Sequence, residues 1–174
     1  MEEKDLPKRK HPRLKEFDYS SGGGYFVTIC VQDRKNILSK IERTNDNDLV
    51  GRGLVPAVKI QNTLYGQIVD NELKNIEARF QGVELGEYVI MPNHIHLILH
   101  ISEAAGASPR PTIMDVICAF KSLATRKCKE IGYNGKLFQT SFYDRVIRNR
   151  DEYMEICNYI TLNPDNWEND ELYN

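Results

Sequence analysis

The segment Glu87–Ile101, EYVIMPNHIHLILHI, limits the possible fold more than any other part of the chain. Val83–Ile90 and His94–Ile101 are dominated by aliphatic and β-branched residues, and only Met91–Asn93 separates them, so they read as an antiparallel hairpin. Side chains along a strand alternate between faces. Ile95, Leu97, Leu99 and Ile101 therefore share one wholly apolar face, which helices must cover. His94, His96, Ile98 and His100 share the other. Same-face neighbours two apart lie about 7 Å from each other, close enough for the His94 and His96 rings to converge on one cation. From spacing alone a metal site and a plain polar sheet face both stay open. Two nitrogen ligands also need a third donor from elsewhere. A histidine-triad nucleotide hydrolase would need a third alternating histidine, and that place holds Ile98.

Around this hairpin the hydrophobic periodicity predicts the remaining elements. Tyr25–Val31 follows a glycine turn and reads as a strand, and residues 39–55 read as a polar loop. Pro56–Phe80 carries apolar residues at helical spacing, with Pro56 suited to a first turn. Residues 102–112 form a second loop. Ile113, Val116, Ile117, Phe120, Leu123, Ala124, Cys128 and Ile131 mark a second helix that ends near Gly132. Ser141–Arg148 resembles a fourth strand. A last helix, Asp151–Leu162, stops ahead of Pro164, because helices end before the residue preceding a proline. The order is β-α-β-β-α-β plus a C-terminal helix. That is the α+β, ferredoxin-like pattern: an antiparallel sheet with helices on one face and the histidine face left open.

The chain has 174 residues, enough for one domain with its own core, and residues 1–174 are taken as one. No apolar run reaches the roughly 20 residues of a membrane span, and the N-terminus lacks an apolar leader, so a cytoplasmic location is expected. The four cysteines form no C-x-x-C pair and sit in apolar segments, which predicts buried free thiols. The net charge of −2 hides local basic runs: KRKHPRLK in the arm spanning residues 1–20, KSLATRKCK at Lys121–Lys129, and RVIRNR at Arg145–Arg150. Such runs admit a phosphate-binding face, although each alone is commonly just solvated surface.

In the last helix Tyr153, Ile156, Cys157 and Ile160 form the core stripe at 100° per residue. Tyr159 and Asn163, spaced i and i+4, lie together on an adjacent face. A phenol and an amide oxygen thus project to one region. The bland alternative is a tyrosine packed at a helix flank with its hydroxyl in water, followed by an ordinary asparagine terminator.

YVIMPNHIHLIL, followed downstream by SFYDRVIRNRDEYMEICNYITLNPDNW, resembles the single-tyrosine HUH transposases, and within them the REP-associated tyrosine transposases. The opening RLKEFDYSSGGGYFVTICVQDRKNIL resembles that branch as well, so the likeness runs from about Arg13 to Trp167. It implies metal-binding roles for His94 and His96, a nucleophilic role for Tyr159, and a third metal ligand at Asn163. It also implies Mg²⁺ or Mn²⁺ as cofactor, and single-stranded or hairpin DNA as substrate, cut through a 5′-phosphotyrosine intermediate. Lys8, Arg9, Lys10, Arg13, Arg145 and Arg148 are the candidates for gripping DNA, by charge and position. A homodimer and a monomer both stay open. Tyr143, near the basic RVIRNR, and Tyr153, on the core stripe, are rival nucleophiles. The competing functions are a hairpin-binding protein of the same fold without catalysis, and an RNA-binding ferredoxin-like module. The latter would need stacking aromatics on the open sheet face, where Tyr25 and Val27 are candidates.

Overall fold

The computed structural model describes residues 23–44, 57–102 and 111–173. In chain order its elements are β1 (Gly23–Cys30), β2 (Ser39–Thr44), β3 (Ala57–Asn62), α1 (Leu64–Lys74), α2 (Ile76–Arg79), β4 (Val83–Ile90), β5 (His94–Ile101), α3 (Ile113–Glu130), β6 (Tyr143–Ile147) and α4 (Arg150–Leu162), with short 3-10 turns at Gln32–Arg34 and Trp167–Asn169. Strands β4, β5, β1 and β6 form one antiparallel sheet in that order. The third strand of this set thus lies beside the first, which is the ferredoxin-like arrangement expected from the element order.

The apolar face of β5 is buried as its alternation requires. Ile95, Leu97, Leu99 and Ile101 pack with Tyr25, Val27 and Ile29 of β1 under Val69 and Leu73 of α1 and Val116, Ile117, Phe120 and Ala124 of α3. Helix α3 begins with a capping box, in which Thr112 and Asp115 satisfy each other's backbone N–H groups. Helix α4 starts at Asn149, whose side chain accepts from the Glu152 N–H at 2.9 Å.

The sheet face expected to stay open is covered instead. Ile156 and Ile160 of α4 pack on Ile98, flanked by Phe26, Val89 and Ile147, so His94 and His96 end up buried. Helix α4 carries the apolar stripe read from the sequence, and a stripe of that kind must find an apolar face; Ile98 between the histidines offers one. Tyr25 and Val27 lie on the opposite, helix-packed face, and Phe26 is the aromatic on the histidine side.

Two further expectations need correction. The sequence predicts a loop over residues 39–55, but Ser39–Thr44 is β2, paired antiparallel with β3. Its SKIERT sequence shows no apolar alternation because this two-stranded ribbon is largely exposed. The helix predicted from Pro56 starts only at Leu64. Ile60 pairs with Ile41 across the ribbon, and Thr63 caps α1 by accepting from the Gly66 N–H at 3.2 Å. Ile60 fits the helical spacing with Ala57 and Leu64 and the strand alternation with Val58, and only the partner strand decided between them. Of the cysteines, Cys30 and Cys128 are buried as expected, whereas Cys118 is exposed and Cys157 half-buried. No described helix is long and apolar enough to cross a membrane.

One buried charge ties α1 to α3. The fully buried Glu72 carboxylate accepts from Arg79 at 2.6 Å and pairs with Lys127. Burial alone would raise its pKa, but Lys127 and Arg79 outweigh that and hold it below its usual 4.5. A carboxyl with a lowered folded-state pKa stabilises fully above its unfolded value, and the contribution fades as pH falls. Glu72→Gln should cost about 2 kcal/mol at neutral pH. Urea melts at pH 7 and near pH 3.5 should show the gap between wild type and variant shrinking at the lower pH.

Candidate metal and nucleophile site

The tight Met91–Asn93 turn sets the first part of the site. Asn93 is fully buried, and its amide donates to the Leu172 carbonyl at 2.8 Å. That bond leaves its Oδ1 to accept from His94 Nδ1, also at 2.8 Å. An amide oxygen can only accept, so the His94 proton sits on Nδ1 and Nε2 carries the free lone pair. His96 Nδ1 meets the Thr28 hydroxyl of β1 at 2.9 Å, because Thr28 lies directly across from His96 in the sheet register. Both rings are thus fixed by their Nδ1 atoms and present Nε2 to the same space, with ring centroids 4.5 Å apart. Phe26 stacks on His96, and Trp167 tilts against His94.

Burial keeps both imidazoles neutral. Desolvation drives His94 down to about 4, with Asp170 opposing, and drives His96 down to about 3, with His94 adding to the effect. Neutral imidazole is the form that binds metal.

Helix α4 brings the phenol. Tyr159 Oη lies 3.3 Å from His96 Nε2, and the Tyr159 ring stands edge-on to both His96 and Phe26. Tyr159 is nonetheless 47% exposed, so its hydroxyl borders both the histidines and solvent. Burial raises its pKa above the usual 10, and Asp170 and Glu171 add to this, while Asn163 opposes it.

Asn163 caps the end of α4 and is buried. Its amide nitrogen donates to Asp170 Oδ2 at 2.9 Å, and its Oδ1 has no hydrogen-bond partner among the described residues; neither does His94 Nε2. Buried polar atoms are rarely left unpaired, so each of these two atoms is open to a ligand. Ligand atoms of His94, His96 and Asp170 lie within 4.8 Å of one another. Imidazole nitrogens suit zinc or manganese better than magnesium, and carboxylate and amide oxygens suit manganese or magnesium, so of the two cations implied by the resemblance the mixed donor set fits Mn²⁺ better. Asp170 was missed in the sequence. It follows α4 in an acidic tail, END, with no spacing signal, and only the turn at Trp167–Asn169 folds it back.

The other candidates fall out differently. Tyr143 lies in the same cross-strand row as Thr28 and His96 but on the sheet edge, 59% exposed and without a hydrogen bond to either histidine. Tyr153, in the first turn of α4, packs against the Ile98 cluster and near His100. Arg145 pairs with Glu152 and so clamps β6 to α4, and Arg148 is exposed beside it. Lys8, Arg9, Lys10 and Arg13 lie outside the described residues.

No family model matches the chain. A REP-associated tyrosine transposase bound to a REP hairpin superposes with a TM-score of 0.60 at 18% identity, over 89% of this chain and 74% of that one. A candidate transposase from Deinococcus radiodurans R1 overlaps more loosely, with a TM-score of 0.48 at 18% identity, over 86% of this chain and 96% of the other. An uncharacterized protein of Haemophilus influenzae is 30% identical over 183 residues, covering 95% of this chain and 93% of the relative. The chain therefore belongs to one protein family with the Haemophilus protein, and it carries the fold of the REP-associated tyrosine transposase.

Proposed function

We propose that this protein is a transposase-type DNA strand-transfer enzyme of the HUH class, built on a single domain with Tyr159 as its nucleophile. The observation that carries the reading is the 3.3 Å approach of Tyr159 Oη to His96 Nε2, whose ring adjoins that of His94 with its unpartnered Nε2. In the reaction, Tyr159 Oη would attack a phosphorus of single-stranded DNA. The new bond joins Oη to the 5′-phosphate, the P–O3′ bond breaks, and the departing 3′ oxygen takes up a proton. The phenol proton leaves on the solvent side of the half-exposed ring. A later 3′-hydroxyl can reverse the step, because the phosphotyrosine bond conserves the energy of the diester.

His94 and His96, with Asn163 and Asp170, would hold a divalent cation. When bound, such an ion supplies Lewis-acid polarisation of the scissile phosphate. His96 Nε2 would either pair with the phenol or bind the cation, so Tyr159 Oη would be free for substrate when His96 serves as a ligand. Thr28 and Asn93 act as positioning residues by holding the two Nδ1 atoms. DNA hairpins are the substrate class in this reading, by analogy with the structural relative bound to a REP hairpin. A hairpin binder without catalysis is the competing reading, and nothing in such a protein would require the orphaned donor set.

Incubation with single-stranded palindromic DNA and Mn²⁺ should leave a covalent protein–DNA adduct on a denaturing gel. Tyr159→Phe should remove the adduct and Tyr143→Phe should keep it; the opposite pattern, or no adduct with any palindrome tried, would overturn the assignment. Calorimetric titration with Mn²⁺ alone tests the site separately. His96→Ala should abolish binding, and Asp170→Asn and Thr28→Val should each weaken it by about tenfold or more. Unchanged Mn²⁺ affinity in Asp170→Asn would leave Asn163 as the third ligand.

A further inference from the structure

The segment that leaves β1 carries the most strained backbone among the described residues. Asp33 and Arg34 adopt φ of 57° and 51°, and every other positive φ among these residues belongs to a glycine. Aspartate tolerates left-handed backbone, whereas a long side chain such as arginine adopts it at a cost. Strain of this kind persists only where the surroundings fix it, and it gathers at functional sites.

Here the surroundings include the turn that carries His94. Cys30, the last residue of β1, lies directly across from His94 in the sheet register. The Val31 N–H then donates to the Asn93 carbonyl at 2.8 Å, and the Arg34 N–H returns to the Val31 carbonyl at 3.1 Å. Beyond the strained pair, the Ile37 and Leu38 N–H groups donate to the Pro92 carbonyl at 2.9 and 3.0 Å. On the other side, the Gln32 N–H donates to the Leu137 carbonyl at 2.8 Å. The segment is thus bolted to the same Pro92–Asn93 turn that aims His94. Arg34 is exposed, yet its charge is felt inside the site. At His94 burial lowers the pKa, Asp170 opposes this, and Arg34 adds to it. At Cys30 burial raises the pKa, and Arg34 is the charge that most opposes the rise. Arg34 and Asp170 therefore act on the same two groups with opposite sign.

We infer that Arg34 is a further catalytic residue, whose guanidinium binds the non-bridging oxygens of the scissile phosphate while Tyr159 attacks. The inference rests on the proposed strand-transfer function and adds to it a residue that the sequence did not single out. As the Oη–P bond forms and the P–O3′ bond breaks, negative charge gathers on those oxygens. A guanidinium fork meets two oxygens at once and stays charged at any working pH. Positive charge aimed where negative charge develops acts most strongly when nothing must rearrange, and a clamped backbone provides that. The same cation offsets the Asp170 carboxylate, which would otherwise repel an incoming phosphate. Strain points to placement rather than general attraction, because a surface cation draws DNA from any backbone conformation.

The test follows adduct formation with single-stranded palindromic DNA and Mn²⁺, with DNA and Mn²⁺ binding also measured separately. In Arg34→Ala the adduct rate at saturating DNA should fall by about 100-fold or more, while DNA affinity falls by less than about tenfold. Mn²⁺ affinity should hold or tighten, since a positive charge has left the site. Arg34→Lys should recover part of the rate, as a point charge without the fork. Arg34→Gly should lose the rate as fully as Arg34→Ala yet melt about 2 °C or more above it, because glycine takes the left-handed turn without strain. Activity retained in Arg34→Gly, or a wild-type rate regained by saturating Arg34→Ala with DNA, would overturn the inference and leave the proposed function standing. Loss of Mn²⁺ binding in Arg34→Ala would do the same, making the residue a support for His94. A wild type that forms no adduct would overturn both.

Discussion

The structure depends on the burial of two neutral imidazoles in the seam between β5 and α4. Removing unpaired polar groups from water is costly, so each ring needs a partner for its proton. Asn93, from the turn that begins β5, accepts the His94 proton, and the Thr28 hydroxyl, from the neighbouring strand, pairs with His96 Nδ1. Those two hydrogen bonds also determine which nitrogen is left over. The leftover nitrogens face each other's space, and the end of α4 closes over them with Tyr159 and Asn163. Stability and site geometry therefore use the same atoms: the bonds that make the burial tolerable are the ones that fix how the rings are turned.

The division of the molecule follows from this seam. One sheet face is an ordinary apolar core under α1 and α3, fastened by the buried Glu72 and its two cations. The other carries a small apolar patch, Ile98 with Ile156 and Ile160, just large enough to seat α4 while leaving its C-terminal turn to the polar groups. A helix held by so few residues needs other ties. Arg145–Glu152 supplies one at its start, and the Asn163–Asp170 and Asn93–Leu172 hydrogen bonds supply others at its end. The segment after α4 is thus part of the site's wall.

Much of this was legible beforehand. The strand alternation of HIHLILHI placed both histidines on one face, and the i, i+4 spacing grouped Tyr159 with Asn163. The ferredoxin-like order followed from periodicity. Where the reading failed, the missing information was a partner. Ser39–Thr44 looks like a loop because a strand in an exposed two-stranded ribbon has no buried face to write into its sequence. Ile60 fits a helix until Ile41 is placed opposite it. The histidine face looked open because the elements before α4 leave it so.

The sequence by itself determined the local periods, the apolar faces and the helix starts at Thr112 and Asn149, since each depends on residues a few positions apart. It also determined that two imidazoles would share a face. The tertiary structure decided what met them. Asp170, Thr28 and Trp167 carry no spacing signal toward His94 or His96, and they arrive through sheet register and a turn of the chain after α4. Contacts between residues distant in sequence depend on how whole elements dock. Docking is set by the sum of many small packing energies, which no local pattern records.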